Sequence, residues 1–569
     1  MAFRIALNMA GAVSAGAYTA GVLDFLIQAL DAWYDERARQ QAQFGADTKL
    51  WTVPTHDVSL QVLTGASAGG MCAAISSVAL QEDFDHVIQT DPPEGTPVNR
   101  LYQSWVQTID ILPLLGSVDL PDQQGPVKSL LDSTPIANIA QDALIASPAH
   151  ARKRPWLADP LGIVLTLSNL RGIPYSVDPA NQGSFEERMA YHADQIRFAM
   201  SASAGASTAT TFALNYSNGA DPNWNVLRTA AMATGAFPVM LAARVLTRTR
   251  ADYENRLWEI SNDRPTPTGD CESETRILPD WAQTVIPSFD NVYADGGITN
   301  NSPFECARQF LVDAADNPSG HNPREASLAN AAVISVAPFP GQEPFDPHYD
   351  ASANSALGKV AGALISTLVN QSRFQGEDLK LIQDPNVFSR FAIAPSDDTA
   401  PGLPALLSGA LGAFGGFIDE KFRDRDYQLG RRNCQQFLRT VFMLPENNSL
   451  ISAGLAGKQK IMGGISEKIG NTTWYQVIPL MPDLQAEIKV PPRADFQTTP
   501  ERLQTVADAA ADRLENVVHA FVNQPGNKHA AWSLLIKAVF DLGGKDKIRD
   551  VILEELTAQL QAVQQVEQP

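Results

Sequence analysis

Gly65-Ala66-Ser67-Ala68-Gly69 sets a serine between two glycines, each two residues away, and the pattern occurs once in the chain. A serine hydroxyl is a weak nucleophile until its surroundings present it and take its proton. Gly-x-Ser-x-Gly is the pattern of a sharp strand-to-helix turn that does the presenting, because a Cβ at either glycine position would crowd the bend. An isolated pentad is also what an ordinary small-residue turn looks like, so its flanks matter. Val58 to Leu63 alternates apolar and polar residues, as a strand does, and Met71 to Leu80 carries no Gly or Pro and suits a buried helix.

A serine hydrolase also needs a base and a hole for the oxyanion. Asp295 follows the apolar pair Val292-Tyr293 and precedes Gly296 and Gly297, which puts a carboxylate at a strand end in a loop that another group can approach closely. A plain Asp-Gly turn has the same composition. For the oxyanion, Gly11-Ala12-Val13-Ser14-Ala15-Gly16 is a small-residue loop between a strand and a helix. Such a loop exposes backbone N–H groups at a helix N-terminus, where negative charge is stabilised. An ordinary phosphate-type loop is the competing explanation, but no Walker lysine follows.

These residues require strands and helices in alternation. Phe3 to Leu7 is a candidate strand and Ala17 to Tyr34 a helix with Val22, Leu23, Leu26, Ile27 and Leu30 on one face. The strand into Ser67 and its helix follow, and βαβα order implies a parallel sheet with helices packed on it. Further strands are expected at Leu161–Leu167, Thr211–Tyr216 and Ala331–Ala337, with a short helix at Leu227–Thr234. Proline- and charge-rich stretches near 83–160 and 248–288 read as insertions, the first placed to cover the site. Helices are expected over Thr499 to Phe521, around Trp532 to Phe540 and from Ile548 to Val563. The stretch Leu403 to Ile418 is apolar and glycine-rich. It suits either a core-packing hairpin or an interfacial segment that meets lipid.

Together the loop, the elbow and the later Asp295-Gly296-Gly297, trailed by Asn301 and Pro303, resemble the patatin-like phospholipase family. Ala233 to Pro238 also resembles the segment that family carries between elbow and aspartate. The resemblance covers about residues 1 to 340. It implies a three-layer α/β/α core with a central, mostly parallel sheet, and a Ser67–Asp295 dyad with an acyl-enzyme intermediate. It places the oxyanion hole at Gly11, Ala12, Val13 and Ser14, with Gly16, Gly65, Gly69, Gly296 and Gly297 as supporting positions. The implied substrate is a phospholipid or other acyl ester, without metal or cofactor. The loop departs from the family's usual Gly-Gly-Gly-x-Arg/Lys-Gly: Ala12 and Val13 replace two glycines, and Ala15 stands where the cation would be. A β-branched residue is poorly suited to positive φ, so an altered loop geometry is expected. Two other readings stay open. One is a non-catalytic lipid-binding or scaffold protein. The other is an α/β-hydrolase with a Ser-Asp-His triad, for which His321 and His348 follow Asp295 in the right order.

At 569 residues the chain has material for several folding units. We expect a catalytic domain over 1–345 and a mainly helical region over 346–569 packed on it. With 43 basic and 63 acidic residues, the net charge of −20 argues against a nucleic-acid partner and against simple docking on an anionic membrane. Peripheral membrane contact through apolar residues stays open, and oligomeric state is not readable. Cys72, Cys271, Cys306 and Cys434 are widely spaced, without a Cys-x-x-Cys pair, which suits a reducing compartment. A cytoplasmic or membrane-peripheral location is therefore expected. The apolar first 23 residues resemble a signal peptide in composition, but Ile5-Ala6-Leu7 reads better as a strand.

Overall fold

A computed structural model describes residues 2–93, 98–120, 126–177, 187–203, 205–256, 278–281, 286–313, 320–339, 350–355, 360, 363–364, 367–368, 370–372, 381–399, 402–522 and 544–567. The elements used below are, in chain order, β1 (Ala2–Met9), α1 (Gly16–Phe44), β2 (Asp57–Gly65), α2 (Ser67–Ala79), α3 (Thr134–Ala143), β3 (Leu157–Val177), β4 (Glu187–Ser201), β5 (Thr211–Asn215), α4 (Asn223–Thr234), β6 (Arg244–Thr249), β7 (Ser288–Asp295), α5 (Phe304–Asp313), β8 (Ala331–Val336), β9 (Arg390–Ile393), α6 (Glu420–Thr440), α7 (Pro500–Val522) and α8 (Lys545–Ala562).

The strands β5-β4-β3-β2-β1-β8-β9 form one sheet in that order; β7 pairs with β3, and β6 with β7. The centre is parallel, since β1 runs with β2 and β8, β2 with β3, and β8 with β9. The antiparallel pairs are β3–β4, β3–β7 and β6–β7. Period-two alternation in β1 sends Phe3, Ile5, Leu7 and Met9 to one face and Ala6 to the other. The first face meets buried residues of α1, α2, α4 and α6. The second meets Phe304, Ala307 and Leu311 of α5. The result is a mixed α/β protein, a mostly parallel sheet between helical layers, with further helices toward the C-terminus.

The expected boundary near residue 345 falls between β8 and β9, which are neighbours in the same sheet. Beyond it, α6 packs on α1 at backbone contact. A Cβ on Gly21 would sit 2.0 Å from the Tyr427 carbonyl oxygen, and one on Gly430 2.2 Å from that of Tyr18. The stretch with signal-peptide-like composition forms the central strand β1 and the start of α1. That helix, with the turn before it, is long and apolar enough to cross a membrane, yet its apolar window is 89% buried within the protein. The Trp532 to Phe540 helix, Cys271 and most of the 248–288 segment lie outside the described residues.

Candidate active site

Met9, Gly65 and Val336 end their strands side by side, so β1, β2 and β8 open at one edge of the sheet. Ligands of open α/β sheets bind at this carboxyl edge. Ser67 opens α2 one residue after β2, with Ala66 extended between them. Its φ of +51° lies in the left-handed region, which costs a non-glycine residue on the order of 1–3 kcal/mol. The surroundings enforce it. A Cβ on Gly65 would lie 2.4 Å from the Gly69 carbonyl oxygen, and one on Gly69 2.2 Å from that of Met9. The Ser67 N–H donates to Thr234 Oγ1 at 3.0 Å, which ties the elbow to the end of α4.

Asp295 ends β7. Its N–H donates to the Ala236 carbonyl, and its own carbonyl accepts from Ser168 Oγ at 2.7 Å. The side chain makes two contacts: Oδ2 accepts from Ser67 Oγ at 2.6 Å, and Oδ1 accepts from the Gly297 N–H at 2.7 Å. Both Ser67 and Asp295 are buried. Burial pushes the Asp295 carboxyl up to about 7, and the two hydrogen bonds only partly offset it. Glycine is required at 296, where a Cβ would fall 2.2 Å from the Thr166 carbonyl oxygen. His321, one of the two triad candidates, is exposed, and His348 lies outside the described residues.

The loop after β1 reaches the elbow from the other side. A Cβ on Gly11 would come within 3.0 Å of Ser67 Cβ. Gly11 differs from its expected role as an N–H donor to the oxyanion, because its N–H is given to the Asn301 carbonyl at 3.0 Å. Its contribution is close approach. Ala12, Val13 and Ser14 follow, with Val13–Ala15 forming one tight turn ahead of α1. The leading N–H groups of a helix have no acceptor within it, so Val13 and Ser14 offer donors with the helix dipole behind them. Val13 has φ +47°, the conformation its branched side chain disfavours. Gly16 is needed for packing, since a Cβ there would strike the Trp105 ring at 2.4 Å.

A pocket of about 660 Å³, counted with its open mouth, extends from Ser67 and Val13. Its walls are apolar and come from four places: Met71 and Ile75 of α2, Ile109, Leu131, Ile136 and Ile139 of the 83–160 segment, Phe237 and Leu241 after α4, and Phe414 and Phe417. The last two belong to the Leu403–Ile418 stretch, which forms three tight turns rather than a hairpin. Thr234 lies in the Ala233–Pro238 segment flagged above, but its bond to the Ser67 N–H, the Ser168 bond to Asp295 and the place of Phe414 and Phe417 in the pocket wall depend on contacts remote in the chain and had no local mark.

The fold and site define an α/β protein with a serine–aspartate pair at a strand–helix elbow, facing an apolar pocket. The chain is 34% identical over 521 aligned residues to the protein named "Uncharacterized protein y4iI" of Sinorhizobium fredii (strain NBRC 101917 / NGR234), covering 84% of this chain and 70% of that one. It belongs to the same family as that protein. No family model matches the chain. Among solved structures, VipD from Legionella pneumophila aligns over 99% of this chain and 85% of its own at 12% identity, with a TM-score of 0.22.

Proposed function

We propose that the chain is a serine hydrolase of lipid acyl esters, of patatin-like phospholipase type, working through a Ser67–Asp295 dyad. The observation that carries this reading is the 2.6 Å hydrogen bond from Ser67 Oγ to Asp295 Oδ2 at the elbow. A carboxylate in direct contact with the hydroxyl is placed to take its proton without an intervening histidine. Its raised pKa suits it to exchange protons near neutral pH.

In this mechanism Asp295 accepts the Ser67 proton as Oγ attacks the ester carbonyl. The carbonyl oxygen becomes an oxyanion beside the Ala12–Ser14 backbone, where Val13 and Ser14 N–H groups stabilise it. The tetrahedral intermediate collapses, Asp295 returns the proton to the leaving alcohol, and an acyl-Ser67 ester remains. Water then gives a proton to Asp295 and attacks the acyl carbon; as this second tetrahedral intermediate collapses, the acyl–Oγ bond breaks, Asp295 returns the proton to Ser67 Oγ and the carboxylic acid leaves. The apolar pocket holds the acyl chain, which favours a lipid over a polar ester. Substrate delivery from a membrane surface, by peripheral contact, fits this lining.

Mass spectrometry of products from a mixed phospholipid and acylglycerol suspension tests the proposal. Wild type is expected to release free fatty acid while a folded Ser67→Ala protein releases none. Folded wild type that releases none, yet retains lipid, supports the non-catalytic binding alternative instead.

A further inference from the structure

Ser14 is fully buried, and its hydroxyl points away from the elbow into the Leu403–Ile418 stretch. Ser14 Oγ donates to the Ala413 carbonyl at 2.5 Å and accepts from the Gly416 N–H at 3.0 Å. The chain bridged in this way is strained: Leu411, Gly412 and Ala413 have φ of +56°, +62° and +74° in succession. Two of these three are not glycine, so the turn persists only if its surroundings over-determine it. Val13, the neighbour of Ser14, is in the same disfavoured region at +47°. Two strained backbone segments therefore meet at one hydroxyl.

The far side of this strap is held by α6. Asp426 accepts from the N–H groups of Leu407 and Ser408 at 2.9 and 2.8 Å, and from Ser408 Oγ at 2.5 Å. The buried Arg423 donates to the Gly416 carbonyl at 2.7 Å and to that of Val106 at 2.9 Å. Since α6 is itself locked on α1 by the close approaches at Gly21 and Gly430, the strap has a rigid backing. Ser14 is where that backing reaches the loop beside Ser67. There is no room for slack, because a Cβ on Gly416 would sit 2.7 Å from Ser14 Oγ and 3.0 Å from Ser14 Cβ.

We propose that Ser14 is a positioning residue: its hydroxyl clamps the 411–416 strap to the Ala12–Ser14 loop and so holds the Val13 and Ser14 N–H groups where the oxyanion forms. The C-terminal half thereby completes the oxyanion site as well as the pocket wall. This rests on the hydrolase proposed above. Replacing Ser14 by alanine leaves the Gly416 N–H and the Ala413 carbonyl without this partner and frees Val13 to relax toward negative φ.

The test uses full-length protein and a soluble short-chain ester, p-nitrophenyl acetate, whose acyl group does not reach along the pocket. Ser14→Ala is expected to lower kcat on the order of 10- to 100-fold, less than outright loss of an oxyanion donor, with KM within about twofold. Ser14→Cys keeps the side-chain volume with weaker hydrogen bonds. It is expected to fall between wild type and Ser14→Ala in kcat, with an unchanged melting temperature. A melting temperature that drops while kcat per folded molecule stays at the wild-type value in either variant would overturn the proposal and leave Ser14 a packing residue. So would a rise in KM at constant kcat. Wild type that is folded and hydrolyses no ester removes the hydrolase reading, and this one with it. Active wild type with an unaffected Ser14→Cys removes only the clamp.

Discussion

Asp24 and Asp295 are both aspartates in the same core, and their surroundings drive them in opposite directions. Asp24 sits in the seam between α1 and α6, paired with Arg431, with His86 Nδ1 at 2.7 Å and Asn99 Nδ2 at 3.2 Å. Burial pushes its carboxyl up, but Arg431 and His86 outweigh that and hold it below the ordinary value. Asp295 has the burial without the cation. It gets one hydroxyl and one N–H, and rises to about 7. A buried carboxylate whose charge is matched holds structure together. One whose charge is left largely unmatched is destabilised as an anion and gains by taking a proton.

The largest expected effect comes from removing the unmatched charge. Asp295→Asn is expected to lower ester hydrolysis on the order of 10²- to 10⁴-fold, the range for a lost general base. It should also stabilise the fold at alkaline pH. The folded pKa of Asp295 lies above the unfolded one, so the native state binds more protons between about 4 and 7, and stability falls as pH rises through that window. Denaturant melts at pH 8 should therefore show Asp295→Asn more stable than wild type, on the order of a few kcal/mol, with the difference shrinking toward pH 4. A variant less stable than wild type at both pH values would contradict the unmatched-charge account.

Breaking the matched charge should do the reverse. Asp24→Asn leaves Arg431 buried without its anion, a loss of about 3–5 kcal/mol. Here the sign of the linkage is opposite. The folded pKa is depressed, so the stability Asp24 contributes is present above the ordinary carboxyl pKa and is lost as pH falls through the folded value. Chemical denaturation across pH reads this directly, and kcat per folded molecule on a short ester should stay within about twofold, as Asp24 touches no site residue. A large loss of kcat in the folded variant would mean that the seam also tunes the elbow. The smallest effect is expected at His321. His321→Ala should retain ester hydrolysis, and loss of activity there would reinstate a triad.

The same contrast explains how much of the molecule was legible in the sequence. The β1–α1–β2–α2 run was readable because its signals are local: alternation in β1 and β2, apolar periodicity in α1, and two glycines around Ser67. The strand leading into Asp295 was flagged only by Val292 and Tyr293, and the pairing of β7 between β3 and β6 has no short-range mark. The helix α6 was covered only by the general expectation of a helical region over 346–569, with no mark of its own bounds or of its burial. Its Arg423, Arg425, Asp426 and Arg431 suggest a solvated face, yet all four are buried. Their partners are Val106, Asp397, the strap and Asp24, and the last pair is separated by 407 residues. Charged residues that are buried by remote partners mask the apolar face that Tyr427, Leu429, Cys434, Phe437 and Leu438 give this helix. For the same reason Ser14 could be placed in a loop motif from sequence, but not given a side-chain role, because its acceptor lies 399 residues away.

The most direct measurement is the rate of covalent labelling by a fluorophosphonate across pH, with the adduct located by peptide mass spectrometry. A Ser67–Asp295 dyad predicts a single adduct on Ser67, forming at a rate that rises with pH to a plateau with a midpoint near the Asp295 value of about 7, and strongly slowed in Asp295→Asn. Folded wild type that takes no label at Ser67, or labels as fast in Asp295→Asn, would contradict it.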